Sequence, residues 1–154
     1  MRIVRRKYVV ALLAVLAGGA VTTGCGSGGD PPSTASLSPR EYFAKATAVC
    51  KPADQSIEAA AHTYLASARP LTAHEFQQFA TVSVIPETQK VIDGLKGLNP
   101  PRTVVETRDA LVTELQSVND RLKANPASLA QHGDPFAKAN QLAKQAGLGA
   151  CVAD

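Results

Sequence analysis

The chain has 154 residues, a formal charge of +3, three cysteines, no tryptophan and a single methionine at residue 1. One domain is the default at this length, and a hydrophobic content of 45% argues against a disordered chain. Aromatics make up only 5% while alanine occurs 26 times, about one residue in six, which disfavours a β-sandwich or barrel and favours helices.

The first element is a leader. Arg2, Arg5, Arg6 and Lys7 precede a 14-residue apolar run from Tyr8 to Val21. As a helix that run would reach about 21 Å at ~1.5 Å per residue, short of the ~30 Å hydrocarbon core. Residues 1–24 therefore read as a signal peptide. The run ends in Thr22-Thr23-Gly24-Cys25, small residues before a cysteine that look like a bacterial lipobox, although Thr22 stands where Leu is usual. A lipobox directs diacylglycerol onto the cysteine and cleavage before it. An ordinary signal would leave Cys25 a spare thiol, and an uncleaved span is weakened by Gly18, Gly19, Thr22 and Thr23. Lipidation of Cys25, with acyl chains such as palmitate, is the favoured reading, because two chains anchor stably where one does not. It places the protein on the extracytoplasmic face of the cell membrane, held by an N-terminal lipid.

Cleavage would remove four basic residues and no acidic ones. The remainder carries 12 Lys/Arg against 13 Asp/Glu, a net charge of −1, so the pI near 8.9 belongs mostly to the leader. No two basic residues are adjacent after Lys7, and the clustered patch that nucleic acid requires is missing. Three cysteines is an odd number for an exported chain. With Cys25 lipidated, Cys50 and Cys151 remain as a pair, and outside the cytoplasm a disulfide can persist. The bond would enclose the 100 residues from Lys51 to Ala150, a loop worth about 4.7 kcal/mol in closure entropy before strain is subtracted. The alternative is two separate buried thiols. A metal site is disfavoured, since no CxxC or Cys-His spacing is present.

Residues 25–37 read as the lipidated cysteine and a flexible Gly/Ser/Pro tether, about 20 Å long on average. The body, 38–154, follows. Ser38-Pro39-Arg40-Glu41 forms a capping box with proline at the first helical position. Phe43, Ala46, Cys50, Ala53, Ile57, Ala60 and Tyr64 then make one apolar stripe, with a kink expected at Pro52 and an end near Ala68. Thr72 to Glu75 is a second capping box. Phe76, Phe79, Ala80, Val84, Val91, Leu95 and Leu98 line the second helix, with a kink expected at Pro86 and last turns weakened by Gly94 and Gly97. The third helix is expected to open at Asn99 or Pro100 and to end near Ala124, with Val104, Arg108, Leu111, Leu115, Val118 and Leu122 on its stripe. A single turn around Leu129 is the most expected between Pro126 and Gly133. Asp134 caps the fourth helix, Pro135 opens it, and Phe136, Ala139, Ala143 and Ala146 line one face; Gly147 and Leu148 supply a Schellman ending.

Short connections favour antiparallel neighbours. The expected fold is all-α: an up-down-up-down four-helix bundle with a Cys50–Cys151 disulfide tying the C-terminal tail to the first helix. The lipobox, the tether, Ala48-Val49-Cys50, the Leu98-Asn99-Pro100-Pro101 turn and Gly147-Leu148-Gly149-Ala150-Cys151 together resemble a group of small actinobacterial envelope lipoproteins. That resemblance implies the location, the disulfide and the helical fold. It implies no biochemical activity.

Few residues suggest chemistry. Glu58 and His62 are four apart and can meet, as a pH-sensitive pair or two ligands of a metal, but no third ligand accompanies them. Glu75 is explained by capping, His74 reads as a solvated residue, and His132 sits beside Gly133 with no visible partner. Arg108 is unusual because it stands in an apolar stripe: a stem snorkelling to water is the bland reading, and the sharper ones are a buried ion pair, with Asp54 or Glu58 as candidate partners, or a charge facing a ligand cavity. GxSxG, SxxK, HExxH, P-loop and dinucleotide motifs are missing. No enzyme, catalytic residue, metal or cofactor is expected. The expectation is a membrane-anchored binding or interaction module with an envelope protein as partner. The alternative is a carrier or sensor of a small apolar ligand held in a cavity of the bundle.

Overall fold

The computed structural model describes residues 36–66, 69, 71–130 and 133–152. The signal peptide, Cys25, nearly all of the tether and His132 lie outside the described residues.

Helix α1 is Pro39–Leu65. The Ser38 hydroxyl accepts the Glu41 N–H, and the Glu41 carboxylate accepts the Ser38 N–H at 3.0 Å, so the capping box forms on both sides. Pro52 lies inside one continuous helix, which stops about a turn before the expected Ala68. The innermost aromatic is Tyr42, fully buried, while Phe43 is half-buried. Tyr42, Ala46, Cys50 and Ala53 follow i, i+4, i+8 and i+11, so the core-facing stripe starts one residue earlier than expected. Its ring carries most of the apolar area in the first turn.

Helix α2, Ala73–Phe79, runs through a π turn, Ala80–Val84, into α3, Ile85–Lys96. The three pieces form one continuous rod. Pro86 was the expected kink, and the structure shows why the disturbance appears a turn earlier. Proline has no N–H and its ring crowds the carbonyl four residues back, which is that of Val82. The Ile85 N–H bonds the Ala80 carbonyl, five residues back, and the π register passes the proline into the first turn of α3. Thr72 and Glu75 form the second capping box, and Arg69 forks onto the same carboxylate. The Arg69 guanidinium and the Thr72 N–H and hydroxyl hold the Glu75 carboxyl down at about 2, against an ordinary 4.5. Because the folded value is depressed, this contribution is complete above pH 4.5 and is lost as pH falls toward about 2. Glu75→Gln should therefore flatten the decline of thermal midpoint in that window. An unchanged acid limb would refute the assignment.

The Asn99-Pro100-Pro101 turn breaks the chain more fully than expected. Proline restricts the residue before it to extended conformations, and Pro101 itself is extended, with ψ 149°. A 3₁₀ turn, Arg102–Val104, follows, and α4 begins only at Val105, running to Ala124. A second 3₁₀ turn, Pro126–Ala130, carries half-buried Leu129. The last helix, α5, is Ala137–Gln145 and starts after Pro135 rather than at it. The Asp134 carboxylate is engaged on the Phe136 N–H at 2.8 Å, capping the turn that leads in. At the other end Gly147 is left-handed, with φ +71°. The Leu148 N–H bonds the Ala143 carbonyl and the Gly147 N–H that of Lys144, the paired bonds of a Schellman motif, with Leu148 buried as its apolar contact.

These rods alternate in direction, so the body is an all-α up-down-up-down bundle, and no strand occurs among the described residues. The short tail Gly149–Cys151 turns back onto α1, where Cys151 is bonded to Cys50. The main core gathers Tyr42, Ala46, Cys50, Ile92, Leu95, Leu111, Leu115 and the alanines of α5. A smaller cluster of Val84, Val118 and Leu122 lies toward the end holding α2 and the second 3₁₀ turn.

Candidate functional site

The disulfide marks the first concavity. Cys50 is 2% exposed on the inward stripe of α1, and the tail brings Cys151 against it with Cα atoms 4.9 Å apart. Beside the bond lies a cleft of about 70 Å³. Ile57, Val91, Leu115 and Phe136 give it apolar walls, and Asp54 and Asn140 give it polar ones. A second groove, of about 450 Å³, lies at the far end between α4 and the second 3₁₀ turn, lined by Val118, Leu122, Arg121, Asn125, Ser128 and Pro135.

Arg108 is half-buried, its side chain 13% exposed. Its Nη1 donates to the carbonyls of Leu95 at 2.9 Å and Leu98 at 3.2 Å. The cation thus sits at the C-terminal end of α3, where the helix dipole is negative, and adds to the Leu98 N–H that also reaches the Leu95 carbonyl at 3.3 Å. The neighbouring Asp109 carboxylate lies 2.7 Å from Nε as an ion pair, off the axis of the Nε–H. Neither a stem snorkelling to water nor a pair with Asp54 or Glu58 describes it: a stripe position at the start of α4 faces the end of α3 because the two rods are antiparallel. Tyr42 lies in the same electrostatic neighbourhood, with a buried hydroxyl that has no partner. Burial pushes its phenol up; the Arg108 cation pulls it down in part, and the Asp109 carboxylate adds to the rise. Arg108→Met should keep the packed stem yet remove the cation and its two hydrogen bonds from the end of α3, lowering unfolding free energy by about 1 kcal/mol in urea titration. A variant as stable as the wild type would show that the cap contributes nothing.

Of the other singled-out residues, Glu58 and His62 do meet, on the surface and without a third ligand. His62 Nε2 stands 3.7 Å from Glu58 Oε1, both on the exposed face of α1 with side chains 78% and 68% accessible. His74 is exposed in the first turn of α2. Among the described residues no group of three His, Cys, Asp or Glu side chains is placed to hold a metal. No helix among them is long and apolar enough to cross a membrane.

Three residues whose roles lie outside the sequence reading emerge from the packing. Tyr42 is one. Asn119 is fully buried, its Nδ2 donating to Gln89 Oε1 at 3.1 Å, and Lys123 donates to the same oxygen at 2.8 Å. Its place four residues after Leu115 is the signal that could have found it. Gly94 is the third: a Cβ built there would meet Val49 Cγ1 at 2.5 Å, so α1 and α3 touch at a point where only glycine fits. No family model, curated protein or solved structure matches this chain.

Proposed function

We propose that the protein is an extracytoplasmic lipoprotein, anchored in the cell membrane through Cys25, whose helical body is a binding or interaction module. The observation that carries this reading is the pairing of Cys50 with Cys151. A disulfide of this kind is at home outside the cytoplasm. It also accounts for two of the three cysteines and leaves Cys25, at the end of a lipobox-like sequence, for export chemistry. The concavities favour an interaction module over an apolar-ligand carrier. The cleft at the disulfide, at about 70 Å³, has room for about two waters, whereas small-molecule sites begin near ~300 Å³. The groove at Val118 and Leu122, about 450 Å³, exceeds that size, but it is open and bordered by Arg121, Asn125 and Ser128, which suits a protruding side chain of a partner better than an enclosed apolar molecule.

Two measurements test the reading. Mass spectrometry of the membrane fraction should find residues 1–24 removed and acyl groups on Cys25; a soluble chain with a free Cys25 would overturn the anchor. Crosslinking in native membranes should recover a discrete envelope protein. Recovery of this chain alone, together with an apolar molecule co-purifying with it, would favour the carrier instead.

A further inference from the structure

The charges of the body are not distributed evenly between its two ends. The chain enters at Leu37, whose N–H bonds the Asn99 carbonyl at 2.9 Å. The entry point is therefore at the end of the bundle holding the start of α1, the α3–α4 connection and the close of α5. Arg40, Lys45, Lys96, Arg102 and Lys144 lie there, all exposed. Among the described residues none of the five is in an ion pair, and Lys96 reaches only the neutral Gln116. The carboxylates at this end are fewer: Asp109 is held on Arg108, while Glu41, which feels the charge of Lys45, and Asp93, bonded to the neutral Gln89 amide, keep their charge. Glu41, Asp93 and Glu106 thus offset three of the five cations and leave an excess of two. Over the rest of the body four of the six described cations are paired, Lys51 and Arg121 being the exceptions. Arg69, Lys90, Lys123 and Lys138 each face a carboxylate, those of Glu75, Glu87, Asp120 and Glu114.

We infer that the entry end of the bundle lies against an anionic phospholipid surface. Paired charges cancel beyond their own separation, while the net excess of two cations acts over about a Debye length, ~10 Å. Lys and Arg held that close to anionic headgroups are attracted to them. The inference rests on the anchored reading. Cys25 lies twelve residues before Leu37, a stretch that spans at most about 40 Å when fully extended. An anchor at that distance keeps the entry end at high local concentration over the lipid. The far end, with the groove at Val118 and Leu122, is then turned outward.

The test uses the protein purified from membranes and reconstituted in phosphatidylcholine vesicles with and without phosphatidylglycerol. Acetylation of individual lysines is followed by mass spectrometry. Lys45, Lys96 and Lys144 should react about threefold more slowly on the anionic vesicles, with Lys90 and Lys123 unchanged and the difference abolished by high salt. Arg40→Glu with Arg102→Glu should erase the protection, and the equal charge change Lys51→Glu with Arg121→Glu should not. Equal rates on both vesicles, with the protein floating with each, would overturn the inference while leaving the anchor intact. A chain that floats with neither overturns the anchored reading, and the inference falls with it.

Discussion

Replacing Cys50 and Cys151 together by alanine is expected to lower unfolding free energy by about 4 kcal/mol, with thermal unfolding falling by roughly 10–15 °C. The bond joins residues 101 apart. Without it the unfolded chain regains the freedom of a loop of about 100 residues, worth roughly 4.7 kcal/mol in closure entropy. The folded state has little to set against that loss. The face that α5 offers the core is Ala139, Ala143 and Ala146, and a methyl side chain removes little apolar area from water. The tail itself is a single 3₁₀ turn. The Schellman bonds and buried Leu148 fix the end of α5, and beyond them Cys151 is the covalent hold on the last turn. The measurement is chemical denaturation of the oxidised wild type against the double variant, with peptide mapping under non-reducing conditions as control. A loss below about 1 kcal/mol would mean that the reduced chain keeps enough residual structure to cancel the entropy.

Gly94→Ala is expected to destabilise the body by about 2 kcal/mol, against the usual gain of ~1 kcal/mol when alanine replaces a helical glycine. The cause is contact. A Cβ at position 94 would lie 2.5 Å from Val49 Cγ1, 3.0 Å from Cγ2 and 3.3 Å from Cβ. Rotation of Val49 cannot clear all three, because a valine in a helix has one strongly preferred rotamer. The helices would have to move apart, opening the packing of Tyr42, Ala46, Ile92 and Leu95 beneath. Val49→Ala removes the two methyl groups, so the pair Val49→Ala and Gly94→Ala should show a favourable coupling of about 1 kcal/mol in a double-mutant cycle. Additive losses, or a stabilising Gly94→Ala alone, would show that the two helices can part without cost.

Gly94 also marks where sequence reading stops. In one dimension it is a helix-weakening residue, and nothing along the chain says that Val49 stands opposite. Arg108 is similar: its position in the α4 stripe is visible, but the carbonyls it bonds belong to Leu95 and Leu98 at the end of another helix. Pro86 announces a disturbance, yet whether the rod bends or winds into a π turn depends on how α2 and α3 must each meet their neighbours.

What the chain settles by itself is local chemistry and its spacing. Two capping boxes, a left-handed Gly147 with Leu148 folded back, proline-bounded rods and an inward Cys50 are all written within a few residues, where short-range hydrogen bonds and backbone sterics decide the outcome. Tertiary structure decided which faces meet. It placed Tyr42 rather than Phe43 innermost, buried Asn119 against Gln89, made Gly94 a contact and turned Arg108 into a helix cap. Each of these depends on atoms ten or more residues away in the chain, brought within a few ångströms by close packing, which no local pattern encodes.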